Sequence, residues 1–341
     1  MPKSTVSSLV VLRGIAVLSV MFSHFADPLV NSTTFPWLFS FLSEYGVYGV
    51  HIFFVISGFV IPFSLDRAKY SIKHYLQFLF KRLLRLHPPY LAALVLTLLI
   101  AAASYRIRHL VYTENAHSIF LSFFYAHIPA DNPVFWTLKV EAQYYIFIGL
   151  FFPLLRTFKK YCLIAGIPIL LALSQSEAAA FIDLLGFIVF FVIGILGFLL
   201  YKKQNSGIIE LVMLSLSIRF AYHYYGVVAC SVATTTILII LFYKQAIPHA
   251  LEHPGVISYS IYLIHFPIGV KLINLFQRHL QPSYHWVLFV SAAAVCYLFA
   301  WVFWRYIENS AAILSNRVKY GNGRPAQPDS GEAIKIEKQA S

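Results

Sequence analysis

The stretch Leu12–Phe25, LRGIAVLSVMFSHF, carries only two groups that resist burial in lipid, Arg13 near its start and His24 near its end. At about 100° per residue the two fall within about 20° of one helix face, about 16 Å apart along the axis. A charge well inside a membrane helix costs about 2.5–3.5 kcal/mol on insertion scales, so two on one face need a destination. One is a pair of opposite interfaces, to which both side chains snorkel. The other is a polar cavity inside a helix bundle.

The rest of the chain supplies that bundle. Its 341 residues are 59% hydrophobic and 12% charged, whereas a soluble domain carries about 25% charge, so the class is an all-α, polytopic membrane protein. A net charge of +12 would suggest nucleic acid in a soluble protein; here it reflects basic loops on the cytoplasmic side. Cys162, Cys230 and Cys296 lie in apolar runs without pairing or metal spacing. The first apolar run continues past His24 without a small-residue cleavage site, so it is expected to remain as the first spanning helix.

Apolar runs near the roughly 20 residues needed to cross a bilayer number about ten. They are Val6–Ala26, Val47–Leu65, Pro89–Ser104, Trp136–Leu155, Tyr161–Ser174, Phe181–Tyr201, Gly207–Phe220, Tyr225–Tyr243, Val256–Phe276 and Tyr284–Tyr306. With the N-terminus inside, the inner loops hold Lys3, Arg67, Lys69, Lys73, Lys81, Arg82, Arg85, Arg156, Lys159, Lys160, Lys202, Lys203 and Lys244. The outer loops hold Arg106, Arg108, Arg219 and Arg278. That bias places both termini in the cytoplasm. Residues 1–310 read as one membrane domain and 311–341, rich in Gly, Pro, Gln and charge, as a disordered cytoplasmic tail.

Several polar residues interrupt these spans. Glu141 begins the apolar part of the fourth, about 7.5 Å below its outer end, at a depth similar to His24. Lys139 and Glu141 are i, i+2 and do not face each other, so each needs its own partner. His51 lies near the outer end of the second span, where Ser57-Gly58 would let helices approach closely. Tyr262 and His265, i and i+3, share a face of the ninth. Between the second and third spans, YSIKHYLQFLFKRLLRLHPPY reads as a basic amphipathic helix on the cytoplasmic surface. It either attracts anionic lipid or uses Arg82 and Arg85 to clamp the phosphates of a nucleotide-like donor. Walker, HExxH, GxSxG and CxxC motifs are absent, which argues against ATP-driven transport, zinc proteolysis and serine hydrolysis.

Taken in order, Arg-x10-His (Arg13, His24), GVHIFFVISGF, KRLLRLHPPY, WTLKVEAQYYIF, SYSIYLIHFP and YIENS resemble the acyltransferase-3 family of integral membrane O-acyltransferases. The resemblance implies transfer of an acyl group, acetyl in the first instance, from coenzyme A to a hydroxyl of a cell-surface polysaccharide or lipid-linked sugar in the bacterial inner membrane. Carried over by position, it implies that His24 is essential, that Arg13 supports the same helix and that Glu141 matches the family's acidic residue. His24 and Glu141 are the expected catalytic pair, and the polar residues His51, Tyr262 and His265 are expected to support them. Arg82 and Arg85 would then meet acetyl-CoA, and no metal or nucleic acid is implied. At position 51 many relatives would show an acidic residue, and YIENS lacks a proline often found after the glutamate. His24 would serve as the base, with Glu141 fixing its tautomer. A transporter or flippase for a sugar or lipid is the rival reading, with the same residues as a polar path.

Overall fold

The computed structural model describes residues 3–202, 207–243, 245 and 247–319. Every regular element among them is helical. Eight stretches are long and apolar enough to cross a membrane: Ser7–Leu29, Pro36–Arg67, Ile72–Ile107, Pro133–Thr157, Leu185–Lys202, Ile208–Phe242, Ser258–Phe276 and Pro282–Arg317.

The principal helices are α1 (Lys3–Ala26), α2 (Pro36–Gly46), α3 (Gly49–Arg67), α4 (Tyr75–Ile107), α5 (Ala116–Ser122) and α6 (Trp136–Thr157). They continue with α7 (residues 159–173), α8 (Ile188–Lys202), α9 (Ile208–Phe242), α10 (His249–Val256), α11 (Ser258–Phe276) and α12 (residues 285–317). The expected count differs from eight for two reasons. Helix α7, expected as a fifth span, is too short to qualify. Helix α9 counts once although the chain reverses inside it. Gly226 adopts φ 81°, ψ 175°, and the Cys230 thiol reaches the Ile218 carbonyl at 3.4 Å. Twelve positions along a straight helix would put those groups about 18 Å apart. Only glycine tolerates that backbone without strain.

Helix α4 corrects a second expectation. The basic run and the third span form one continuous 33-residue helix through Pro88 and Pro89, rather than a surface helix followed by a span. The prolines lack the N–H groups that would bond the Leu84 and Arg85 carbonyls, yet their fixed φ still suits a helix. Tyr259 donates to the neighbouring Leu86 carbonyl at 2.8 Å. At the C-terminus α12 stays helical to Arg317, seven residues beyond the expected domain end. The rest of the expected tail, from residue 320, and Lys203 and Lys244 lie outside the described residues.

Helix α1 touches α2, α3, α10, α11 and α12 and so lies inside the bundle. Helices α3 and α8 cross in close contact. A Cβ on Gly58 would lie 2.2 Å from the Phe191 carbonyl oxygen, and one on Gly194 2.2 Å from that of Val55. Small residues let membrane helices approach this closely, where packing rather than water exclusion drives association. Replacing Gly194 with valine is expected to destabilise the protein by at least about 1–3 kcal/mol through overpacking. The check is the thermal unfolding midpoint in detergent, and an unchanged midpoint would contradict the crossing. Ion pairs group the loops by end: Lys202 binds Asp66 at 2.5 Å, and Lys159 pairs with the buried Glu210.

Candidate active site

His24 ends α1 beside the middle of α11. Its Nδ1 lies 3.0 Å from His265 Nε2, with ring centroids 5.2 Å apart and planes 23° from parallel. The hydrogen-bond pattern assigns the protons. His265 Nδ1 lies 2.8 Å from the Tyr262 carbonyl and 3.2 Å from that of Ile261. A carbonyl only accepts, so His265 Nδ1 carries a proton and its Nε2 is the acceptor. His24 Nδ1 must then be the donor, which leaves Nε2 of His24 as the lone-pair nitrogen. His265 is fully buried, whereas His24 is half-buried. The lone-pair nitrogen therefore belongs to the less buried of the two imidazoles.

The local sequence explains why His265 sits there. Pro267 lacks the N–H that would bond the Leu263 carbonyl, and the chain widens into a π-turn over His265–Val270. Such turns often mark functional sites. The released Leu263 carbonyl accepts from Asn132 Nδ2 at 3.0 Å, which also donates to Thr97 Oγ1 at 3.2 Å. Asn132 thus pins α4 to the segment carrying His265. Asn132→Leu should cost about 1–3 kcal/mol by stranding a buried carbonyl. Its check is the unfolding midpoint together with activity, and wild-type values in both would refute the clamp.

Glu141 is placed differently from expectation. His24 takes His265 as its partner rather than Glu141, which accepts a hydrogen bond from Tyr145, one turn along α6. The expected match in depth fails because Tyr262 Oη donates to the Val134 carbonyl at 3.0 Å and lies 2.7 Å from Thr137 Oγ1. This fixes the level of α11 one turn above Glu141. Charge from Glu141 still reaches the phenols of Tyr125, Tyr145, Tyr259 and Tyr262. Lys139 and Glu141 do find separate partners. Lys139 binds Asp183 at 2.7 Å. Burial works to raise the Asp183 carboxyl, but hydrogen bonds from Lys139 and Gln143 outweigh it and hold the group below its ordinary value.

At the other end of this path the Arg82 guanidinium stands 5.4 Å from the Tyr145 ring centroid and 5.5 Å from that of Phe78. Its Nε is buried without a partner among the described residues. Arg85 also acts electrostatically on Tyr145. The structure therefore joins Arg82 and Arg85 to Glu141 through Tyr145. The Tyr262 ring stands 5.8 Å from that of His265. Arg13 is half-buried on α1 and takes no ion-pair partner among the described residues. His51 stacks on Tyr48 at 5.4 Å and meets the edge of Phe190 at 4.3 Å. It packs toward α8 and not against the histidine pair.

Two groups near the site escaped the sequence reading. Asp27, the carboxylate whose charge acts on His24, accepts from Ser43 at 3.1 Å. It lies one turn beyond His24, a spacing that could have flagged it. Glu308, within YIENS, accepts from both the backbone N–H and the hydroxyl of Ser260, at 3.0 and 2.5 Å. That bond ties α12 to the first turn of α11.

Residues 6–305 match the family model of the acyltransferase-3 "Acyltransferase domain". The chain belongs to the acyltransferase-3 family. It is 26% identical to an O-acetyl transferase of Shigella phage Sf6 over 325 residues, covering 87% of this chain and 93% of that protein. It is also 31% identical over 175 residues to nodulation protein 10 of Rhizobium leguminosarum bv. viciae, covering 44% and 45% of the two chains. An uncharacterized protein of Haemophilus influenzae is 32% identical over 127 residues, covering 32% and 50%. No solved structure matches. The protein is an O-acyltransferase whose apolar helices suit a membrane.

Proposed function

We propose that this acyltransferase moves an acetyl group from acetyl-CoA to a hydroxyl of a cell-surface polysaccharide or lipid-linked sugar. It does so in the bacterial inner membrane, with both termini cytoplasmic and ten passes once α7 and the two arms of α9 are counted. His24 Nε2 accepts the proton of the sugar hydroxyl. The hydroxyl oxygen attacks the thioester carbonyl, the C–S bond breaks, and the departing thiolate of coenzyme A takes the proton back from His24. The products are the O-acetyl ester and free coenzyme A.

The single observation that carries this reading is the proton assignment of the His24–His265 pair. A sugar hydroxyl is a poor nucleophile, and a base within hydrogen-bond reach is what it lacks. His265 takes over the role expected of Glu141: it holds His24 in the tautomer that leaves Nε2 unprotonated. Asp27 favours the imidazolium that forms in passing. Arg82 and Arg85, at the cytoplasmic end, hold the phosphates of the donor, since guanidinium forks suit phosphate oxygens. Glu141 and Tyr145 orient Arg82 and line the route by which the thioester reaches His24. Arg13 offers a further positive charge along that route.

The test uses purified full-length protein, acetyl-CoA labelled in the acetyl group and the host's surface polysaccharide stripped of esters by mild alkali. Label should enter the polysaccharide and be released again by alkali. Failure of label to enter, with transport of unmodified glycan instead, would overturn the reading.

A further inference from the structure

The loop between α4 and α6 holds a second polar cluster, apart from the path just described. Asp131 has a side chain only 8% exposed. One of its oxygens takes Lys271 Nζ at 2.5 Å; the other, Oδ2, is buried with no partner among the described residues. The Tyr112 hydroxyl is likewise buried without a partner. The two are close enough for charge to act: burial, then the carboxylates of Asp131 and Glu114, push the Tyr112 phenol up to about 12. No hydrogen bond joins them. The Tyr105 and Tyr112 rings meet edge to face at 5.3 Å, and Lys271 Nζ stands 6.0 Å from the Tyr105 ring centroid. Glu114 is fully engaged elsewhere, by His127 at 2.8 Å, Ser118 at 2.6 Å and the Ala130 N–H at 3.3 Å. Those bonds fix the loop that delivers Asp131.

Position gives the cluster meaning. Lys271 directly follows the π-turn that opens with His265, so it stands about 9 Å further along the axis at helical rise. Asp131 adjoins Asn132, the clamp on the same segment. A buried donor-acceptor hydroxyl and a buried carboxylate oxygen, both unpaired, cost free energy until something bonds them. A cation gains little there, because Lys271 already neutralises Asp131. An anion meets the Asp131 and Glu114 carboxylates. A neutral polyol satisfies both atoms and can lay its C–H face on a tyrosine ring.

We propose that Tyr105, Tyr112, Asp131 and Lys271 form the acceptor subsite for a neutral sugar ring. Asp131 Oδ2 accepts from one ring hydroxyl and Tyr112 Oη bonds a neighbouring one, presenting the sugar toward His24. The proposal rests on the O-acyl transfer reading and deepens it.

The test compares Tyr112→Phe and Asp131→Asn with wild type, using the alkali-stripped host polysaccharide and labelled acetyl-CoA. Tyr112→Phe removes a hydroxyl that no described residue uses and keeps the ring, so its fold is expected intact. Each variant should raise the KM for the polysaccharide roughly tenfold, the scale of one lost hydrogen bond to a buried group. The KM for acetyl-CoA should stay unchanged. A wild-type KM for polysaccharide in Tyr112→Phe means that no acceptor hydroxyl bonds the Tyr112 hydroxyl, and overturns the subsite. If wild type forms no ester, acyl transfer itself falls, and binding decides the subsite separately. A polysaccharide-dependent rise in the unfolding midpoint that Tyr112→Phe abolishes supports it, and no rise in wild type refutes it.

Discussion

Replacing His24 with alanine is expected to lower kcat by about 10²–10⁴-fold, the usual worth of a positioned proton acceptor. The KM for acetyl-CoA should barely move, because the proposed phosphate contacts are to Arg82 and Arg85 rather than to His24. His265 acts through His24, so its substitutions separate positioning from packing. His265→Leu removes the acceptor for His24 Nδ1–H and frees the ring to choose the other tautomer; kcat should fall nearly as far as in His24→Ala. His265→Gln keeps an oxygen that can accept from His24 and an amide that can donate to the Tyr262 carbonyl, and should recover part of the loss. The acidic limb of the pH–rate profile should also differ between His265→Gln and wild type, because the group facing the base has changed. A purely structural role would lower stability in both variants and leave that limb in place. Equal kcat in His265→Leu and wild type would refute the pair as a working unit.

The second large effect concerns the donor. Arg82 stacks between Phe78 and Tyr145, with its Nε buried and without a partner among the described residues. A charge-assisted hydrogen bond to a buried group contributes about 1.5–3 kcal/mol. Loss of one guanidinium–phosphate contact should therefore raise the KM for acetyl-CoA by roughly 10–150-fold. Arg82→Ala is expected at the upper part of that range and Arg85→Ala lower, with kcat at saturating donor largely retained in both. Arg82→Lys should rescue little, because lysine keeps the charge but loses the planar fork and the stacking. Steady-state kinetics with acetyl-CoA varied at fixed polysaccharide reads this directly. A KM that does not change in Arg82→Ala would place the donor elsewhere.

Much of the fold was legible because lipid imposes simple rules: apolar length gave the spans, and the Gly58 approach followed from small residues. The arms of α9 were also readable as two runs, Gly207–Phe220 and Tyr225–Tyr243, although the chain turns at Gly226, one residue inside the second run. The continuity of α4 was not. Consecutive prolines read as a helix boundary, yet a helix held in a bundle tolerates them when its fixed φ is helical.

The site was legible in its members more than in its pairings. Periodicity along one helix places His24 and Arg13 on a face and gives each a depth. It does not say which neighbouring helix meets that face. The partner of His24 is set by the packing of α11 beside α1, where a π-turn begins at His265 and Tyr262 fixes the level against Val134. Both are long-range consequences of residues that locally look like ordinary helix content. Asp27 follows His24 by three residues, about one turn, but sits just past the apolar run and so carries no burial signal. Tyr112 and Asp131 gave no sequence signal, because their importance comes from what they fail to bond.

The central claim is the proton assignment of the histidine pair, and ring-nitrogen NMR tests it most directly. Protein labelled with ¹⁵N at histidine, with the two residues assigned through His24→Ala and His265→Leu, reports which ring nitrogens carry protons. At neutral pH His24 should show a protonated Nδ1 and an unprotonated Nε2, with coupling across the hydrogen bond to an unprotonated Nε2 of His265. A proton on Nε2 of His24 would leave that imidazole unable to accept from a substrate hydroxyl, and would contradict the account.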